Sequence, residues 1–184
     1  MRDDAEICRR LEAIYASIDT CQHCSLGKLP INDGRHMRYK PGNVDGPRVV
    51  VVAQNPGKSK KGDHVWGGLD LLFKADPKIK ELAEEVWITN IVKCCTRSNK
   101  KPEPEEIRAC EGWLRQEIEV IQPDKIIALG KVASMWLRRT FPDKHSDWHP
   151  RYIQFKPKER AEYVERLKRA MLRDPAQGSL RSTT

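Results

Sequence analysis

The chain has 184 residues, with 34 Lys+Arg against 26 Asp+Glu and a formal charge of +8. That length suits about one domain, and a hydrophobic content of 39% supplies a core and excludes a wholly disordered chain. The longest apolar run, Val49 to Ala53, is far short of the ~18 residues of a membrane-spanning helix, and the excess of cations points to a polyanionic partner, nucleic acid first.

The first residues, Met1 to Glu6, carry no apolar signal-peptide core, so the expected location is the cytosol. From Asp4 to Ile18, the residues Ile7, Leu11, Ile14 and Ile18 fall at helical spacing and predict an amphipathic helix. Cys21 to Gly46 is turn-rich and basic and predicts an ordered loop. Arg48 to Ala53 is a β-branched run, which fits a strand buried on both faces, and Asn55-Pro56-Gly57 breaks it. A polar, glycine-rich stretch (58–68) and a short helix (69–75) precede a second strand over Val86–Val92. Lys100 to Glu106 approaches a long helix, in which Ile107, Cys110, Leu114, Ile118 and Ile121 keep helical spacing.

Beyond Pro123, Lys125 to Leu129 predicts a third strand, closed by Gly130, and Val132 to Leu137 a helix. His145 to Pro150 reads as a polar, aromatic loop, Tyr152 to Phe155 as a fourth strand, and Lys158 to Arg173 as a basic amphipathic helix begun at Pro157. With no repeat and no linker, the chain is expected to form one domain over 1–174 with a flexible tail, 175–184, and to be a monomer. Strands alternating with helices argue for a parallel sheet covered on both faces, with ligands bound beyond the carboxyl ends of its strands. Gln54-Asn55-Pro56-Gly57, Thr89-Asn90 and His149-Pro150 all fall at strand ends or in loops.

Six cysteines in a reducing compartment argue for metal or cluster ligation rather than disulfides. Cys21-x2-Cys24 offers two thiolates from one turn, and Cys94 and Cys110 complete a four-thiol set. An all-thiolate set favours zinc or iron–sulfur over harder ions, and spacing alone decides neither between these two nor between the adjacent Cys94 and Cys95. Cys8, on the first helix, reads as packing.

Taken in order, Cys21-Gln-His-Cys24, the strand into Gln54-Asn55-Pro56-Gly57, Ile88-Thr-Asn-Ile-Val-Lys-Cys94, Asn99 to Cys110, Ile126-Ile-Ala-Leu-Gly130 and Trp148-His-Pro150 form a recognisable set. Together they resemble the family 4 uracil-DNA glycosylases, the iron–sulfur branch of that superfamily. The resemblance implies a three-layer α/β/α sandwich around a four-stranded, largely parallel sheet. It also implies a [4Fe–4S] cluster on Cys21, Cys24, Cys94 and Cys110, favouring Cys94 over Cys95, and a DNA partner containing uracil or another deaminated base. One motif departs: Ala53-Gln54-Asn55-Pro56-Gly57 stands where family 4 carries Gly-Glu-Ala-Pro-Gly. Its Asn resembles the mismatch-specific and single-strand-selective branches, and its Gln resembles family 1.

The resemblance assigns roles to these positions. Asn55 matches the residue that orients the attacking water, although Asn-Pro is also the pattern of an Asx turn. Gln54 lines the pocket, and Gly57 replaces the tyrosine with which family 1 excludes the thymine methyl. Asn90 matches the base reader, since an amide complements the O4 and N3–H edge of uracil. His149 donates to O2 as charge builds there. Trp66 is the expected stacking platform, although a strict match places Val65 there. Arg151, Tyr152 and Ile153 fall where the family inserts a wedge into the base stack. Lys156 leads a set of cations on and before the last helix that suits phosphates, and Arg35, Arg38 and Lys40 lie near the cysteine loop. The reading is a monofunctional glycosylase. The alternatives are a homologue of altered base specificity or weak activity, and a non-enzymatic iron–sulfur nucleic-acid-binding module.

Overall fold

A computed structural model describes residues 4–32, 39–42, 48–58, 64–65, 80–81, 84–142, 145–148 and 157–171. The expected helix over 69–75, the expected strand over 152–155 and the tail lie outside these residues. Helix α1 spans Asp4–Asp19 and strand β1 Val49–Ala53. A two-residue hairpin follows, β2 Gly57–Lys58 and β3 His64–Val65, and then β4 Trp87–Asn90. Helix α2 is Pro104–Ile121, β5 Lys125–Leu129, α3 Lys131–Thr140, β6 His145–Trp148 and α4 Arg160–Met171. Among the described residues no helix is long and apolar enough to cross a membrane.

The main sheet has four strands in the order β4-β1-β5-β6, and each neighbouring pair is parallel. The valine run of β1 is buried throughout because its side chains alternate between two layers. Val50 and Val52 join Trp87, Ile126 and Ala128 beneath α1, α2 and α3, while Val49 and Val51 join Ile88, Ile127 and Leu129 beneath α4. Each fully buried Val or Ile contributes roughly 1.5–3 kcal/mol, so the two faces together form the core of the three-layer sandwich.

Three boundaries differ from the sequence pattern, each for a local reason. The fourth strand is His145–Trp148, where the pattern reads as a loop. It is hydrogen-bonded to β5 at the sheet's margin, where polar residues are tolerated in a way a central strand forbids. Helix α2 starts at Pro104, three residues before its apolar stripe, because Glu103 and Glu106 form a reciprocal capping box and Pro104 occupies the first turn. On α1 the buried stripe is Ile7, Leu11, Tyr15 and Ile18, so Tyr15 takes the inward place expected of Ile14.

The outer side of β4 is not open. Lys40 forms an antiparallel bridge with Ile88, with N–H···O distances of 2.8 and 2.9 Å. This close passage requires Gly42, because a Cβ there would stand 2.5 Å from the Val86 carbonyl carbon. At the far end of β5, Gly130 turns the chain into α3 at φ 93°, a conformation that favours glycine.

Candidate active site and cysteine cavity

Strands β1 and β4 end in register, Ala53 opposite Asn90, so the loops that follow leave the sheet side by side. The Ile91 N–H donates to the Ala53 carbonyl at 2.9 Å and the Val92 N–H to the Gln54 carbonyl at 3.0 Å. Asn90, the last residue of β4, is 1% exposed, and neither its amide nitrogen nor its amide oxygen has a hydrogen-bond partner among the described residues. Leaving such groups unpaired costs ~1–3 kcal/mol each, and the great majority of buried polar atoms avoid it.

The first motif lies beside it. Gln54 Nε2 donates to Asn55 Oδ1 at 2.8 Å. Asn55 Nδ2 donates to the Pro56 carbonyl at 2.8 Å and reaches Thr96 Oγ1 at 3.5 Å. The Asn55 carbonyl, the atom suited to hold a water, thus has one lone pair engaged by Gln54 and, among the described residues, one left. Gly57 opens the hairpin opposite Val65, and its carbonyl accepts the Cys95 thiol at 3.4 Å. Trp66, His149, Arg151, Tyr152, Ile153 and Lys156 lie outside the described residues. Strand β6, running parallel to the others, brings the chain to Trp148 at the same carboxyl edge.

The structure brings four of the cysteines together. Cys21, Cys24, Cys94 and Cys110 line one cavity, with Ile18, His23, Gly27, Val92, Lys93, Ala109 and Trp113. Burial raises the Cys94 thiol far above its ordinary range, and Cys110, Cys24 and Cys21 raise it further. Burial also pushes Cys110 up to about 11, against the opposing pull of Lys93, whose backbone N–H lies 3.3 Å from Cys110 Sγ. The loop that presents Cys21 folds back so closely that a Cβ at Gly27 would stand 2.3 Å from the Cys21 carbonyl oxygen. Ser25 ties this loop to the N-terminus of α2 by donating to Glu106 at 3.0 Å, and His23 stacks on Trp113 with ring centroids 5.8 Å apart.

Cys95 faces elsewhere. Its backbone is clamped by buried Asn32, which accepts the Cys95 N–H and donates to its carbonyl, both at 2.9 Å. Burial pushes its thiol up to about 11, with Lys58 pulling it back. Cys8 is half-buried against the core, as packing alone requires, and all six cysteines are free thiols. Among the described residues no three His, Cys, Asp or Glu side chains converge as the donors of one metal ion do.

Two features escape sequence reasoning. Lys93 and Glu117, 1% and 0% exposed, pair at 2.5 Å. Glu117 also accepts from Tyr15 at 2.5 Å and from Thr89 at 2.8 Å, and burial together with Glu117 raises the Tyr15 hydroxyl well above its usual range. The signal was present, since Cys110, Leu114, Glu117 and Ile121 keep the spacing of the buried stripe. The second feature is the exposed cationic loop of Arg97, Lys100 and Lys101, next to the Thr96 that contacts Asn55. It holds Ser98 and Asn99 at φ 52° and 54°, an uncommon pair of left-handed non-glycine residues.

Comparison with known proteins adds to this geometry. Residues 40–171 match the family described as the Uracil DNA glycosylase superfamily. The type-4 uracil-DNA glycosylase of Archaeoglobus fulgidus is 32% identical over 135 residues, which covers 71% of this chain and 65% of that protein. Those of Thermotoga maritima (37% over 126 residues, 67% and 63%) and Saccharolobus solfataricus (33% over 132 residues, 69% and 58%) are similar in the same way. The chain thus spans just under two thirds of the length of the first two relatives. With the family match running through the sheet, the Asn90 strand end and α2, the chain belongs to the uracil DNA glycosylase superfamily.

Proposed function

We propose that this protein is a monofunctional DNA glycosylase that hydrolyses uracil from DNA and leaves an abasic site. The observation that carries the reading is Asn90, a buried amide at the carboxyl edge of the sheet whose donor and acceptor both lack partners among the described residues. Uracil presents the complementary pair, O4 to accept and N3–H to donate.

The base must leave the stack before its glycosidic bond can be reached. Asn90 reads the flipped base, Gln54 and Gly57 line the pocket, and Trp66 stacks on the ring. The C1′–N1 bond breaks as a water held by the free lone pair of Asn55 attacks C1′, and the departing uracil anion is stabilised at O2 by His149. The water's oxygen stays on C1′ with one of its protons, and the other proton neutralises the released uracil anion by way of solvent. Asn55 is a poor proton acceptor, which suits a sugar cation that needs a positioned water more than a strong base. Arg151, Tyr152 and Ile153 fill the gap in the stack, and Lys156 meets a phosphate. A single domain over 1–174, acting as a monomer, is part of the same reading.

The thiol cavity suits a [4Fe–4S] cluster on Cys21, Cys24, Cys94 and Cys110. Four soft donors and no carboxylate line it, and a four-iron cube holds its cysteines farther apart than a single tetrahedral ion does. Bound there, the cluster would cross-link the 21–24 loop, the segment after β4 and helix α2.

The test is an assay of anaerobically purified protein on oligonucleotides bearing uracil, hypoxanthine, xanthine or a thymine mismatch, followed by alkali. Strand breaks at uracil support the proposal. Tight binding with no cleavage of any substrate would replace it with a damage-binding module.

A further inference from the structure

The chemistry above uses neither Lys93 nor Glu117, although both are shut away from water. A buried ion pair is seldom more stable than apolar residues of the same volume, so stability alone does not account for this one. Its geometry is specific. The Lys93 ammonium spends its three donors on Glu117 Oε2 at 2.5 Å, Thr89 Oγ1 at 2.9 Å and the Asn90 carbonyl at 2.7 Å. Glu117 is in turn fixed by Tyr15 of α1 and by the Thr89 hydroxyl. Lys93 is held at its other end by its backbone N–H on Cys110 Sγ.

Every one of these bonds bears on the residue whose side chain is left unpaired. Thr89 precedes Asn90, and the Asn90 carbonyl belongs to the peptide plane that sets where the Asn90 Cα–Cβ bond points. Beyond it the paired strand ends, and Ile91 and Val92 continue in a loop tied to β1 by their N–H bonds to the Ala53 and Gln54 carbonyls. Without the ammonium, that plane would keep only the bond from its Ile91 N–H to the Ala53 carbonyl, and its carbonyl edge would be unheld just where the base is read.

We infer that the Lys93–Glu117 pair is a positioning device for the Asn90 amide, anchored between helices α1 and α2 and the thiol cavity. The inference rests on Asn90 being the base reader. A reacting group misplaced by about 1 Å can slow catalysis by ~10²-fold, so the pair is retained for rate and base choice rather than for folding.

The experiment compares the parent with Lys93→Met/Glu117→Leu, Asn90→Ala and the triple variant, all purified anaerobically. The double variant should fold, keep the parent's colour and bind undamaged DNA within ~2-fold of the parent, yet cleave uracil ~30- to 100-fold more slowly in single turnovers. Amide exchange at Ile91 and Val92 should rise ~10-fold while β5 stays protected. In the Asn90→Ala background the same double change should slow cleavage less than ~3-fold further, because the two act through one amide. If the double variant fails to fold, Glu117→Gln serves instead. It keeps the shape and one acceptor oxygen but removes the charge and turns the other oxygen into a donor, which loosens the ammonium, and it should lower kcat ~10-fold with KM unchanged. Parent-like cleavage by the double variant, or effects that multiply with those of Asn90→Ala, would overturn the positioning role alone. Parent-like cleavage by Asn90→Ala would instead bring down the base-reading assignment, and this inference with it.

Discussion

At the scale of single residues, Asn90 and Asn55 carry the same amide in different surroundings. Asn90 is buried with neither end of its amide bonded among the described residues, which leaves a pattern of one donor and one acceptor for a ligand. Asn55 is half-buried and already spends its NH2 on the Pro56 carbonyl. Asn90→Asp keeps the shape but removes the NH2 that the proposed reading sets against uracil O4, and a site that reads hydrogen bonds rejects a mismatch strongly because buried groups are left unpaired. Uracil cleavage by Asn90→Asp should fall by at least ~10²-fold, or ~2.7 kcal/mol, in single-turnover assays. Asn55→Ala should slow cleavage while leaving the ratio between bases nearly unchanged. Parent-rate cleavage by Asn90→Asp would remove Asn90 from the pocket.

At the scale of elements, the segment between β4 and α2 turns a run of adjacent residues to different tasks. Cys94 faces the thiol cavity, whereas Cys95 bonds the Gly57 carbonyl and is clamped by Asn32. If a four-iron cluster fills the cavity, Cys94→Ser should abolish the brown colour of anaerobic protein and most of its ~4 irons per chain, and Cys95→Ser should keep both. The reverse outcome, or stoichiometric zinc without iron, would reject the assignment. The sequence alone exposes much of this architecture, because β-branched runs and helical spacing report burial directly: β1 and β5 lie where their patterns put them, β4 is shorter than its run over Val86–Val92, and α2 begins three residues before its stripe. Strand β6 was hidden because its residues, His145-Ser-Asp-Trp148, carry no alternating apolar pattern. Lys93 and Glu117 were hidden for the opposite reason, since charged side chains are read as solvated until tertiary structure encloses them. Grouping of Cys94 rather than Cys95 with the distant thiols came from family resemblance, because two adjacent cysteines are indistinguishable by spacing; Cys94 lines the cavity with Cys21, Cys24 and Cys110, whereas Cys95 bonds the Gly57 carbonyl.

At the scale of the whole molecule, a charge of +8 is an affinity for phosphate before it is anything more specific. Binding to undamaged duplex should weaken steeply with salt, and Lys156→Ala should lower the slope of log K against log salt by about one unit if that lysine meets a phosphate. An unchanged slope would return Lys156 to the solvent. The buried pair, in turn, sets a condition on how the molecule is made. Tyr15 and the Glu117 carboxylate that it bonds are 102 positions apart. At ~5–20 residues per second, the ribosome takes roughly 5–20 s to deliver the second after the first. For most of that interval Cys21 and Cys24 have been made, whereas Cys110, on the same helix as Glu117, comes only near its end. The nascent chain therefore presents two uncovered thiols to the cell well before it can enclose them, and exposure to oxidants is greatest during synthesis rather than in the finished protein.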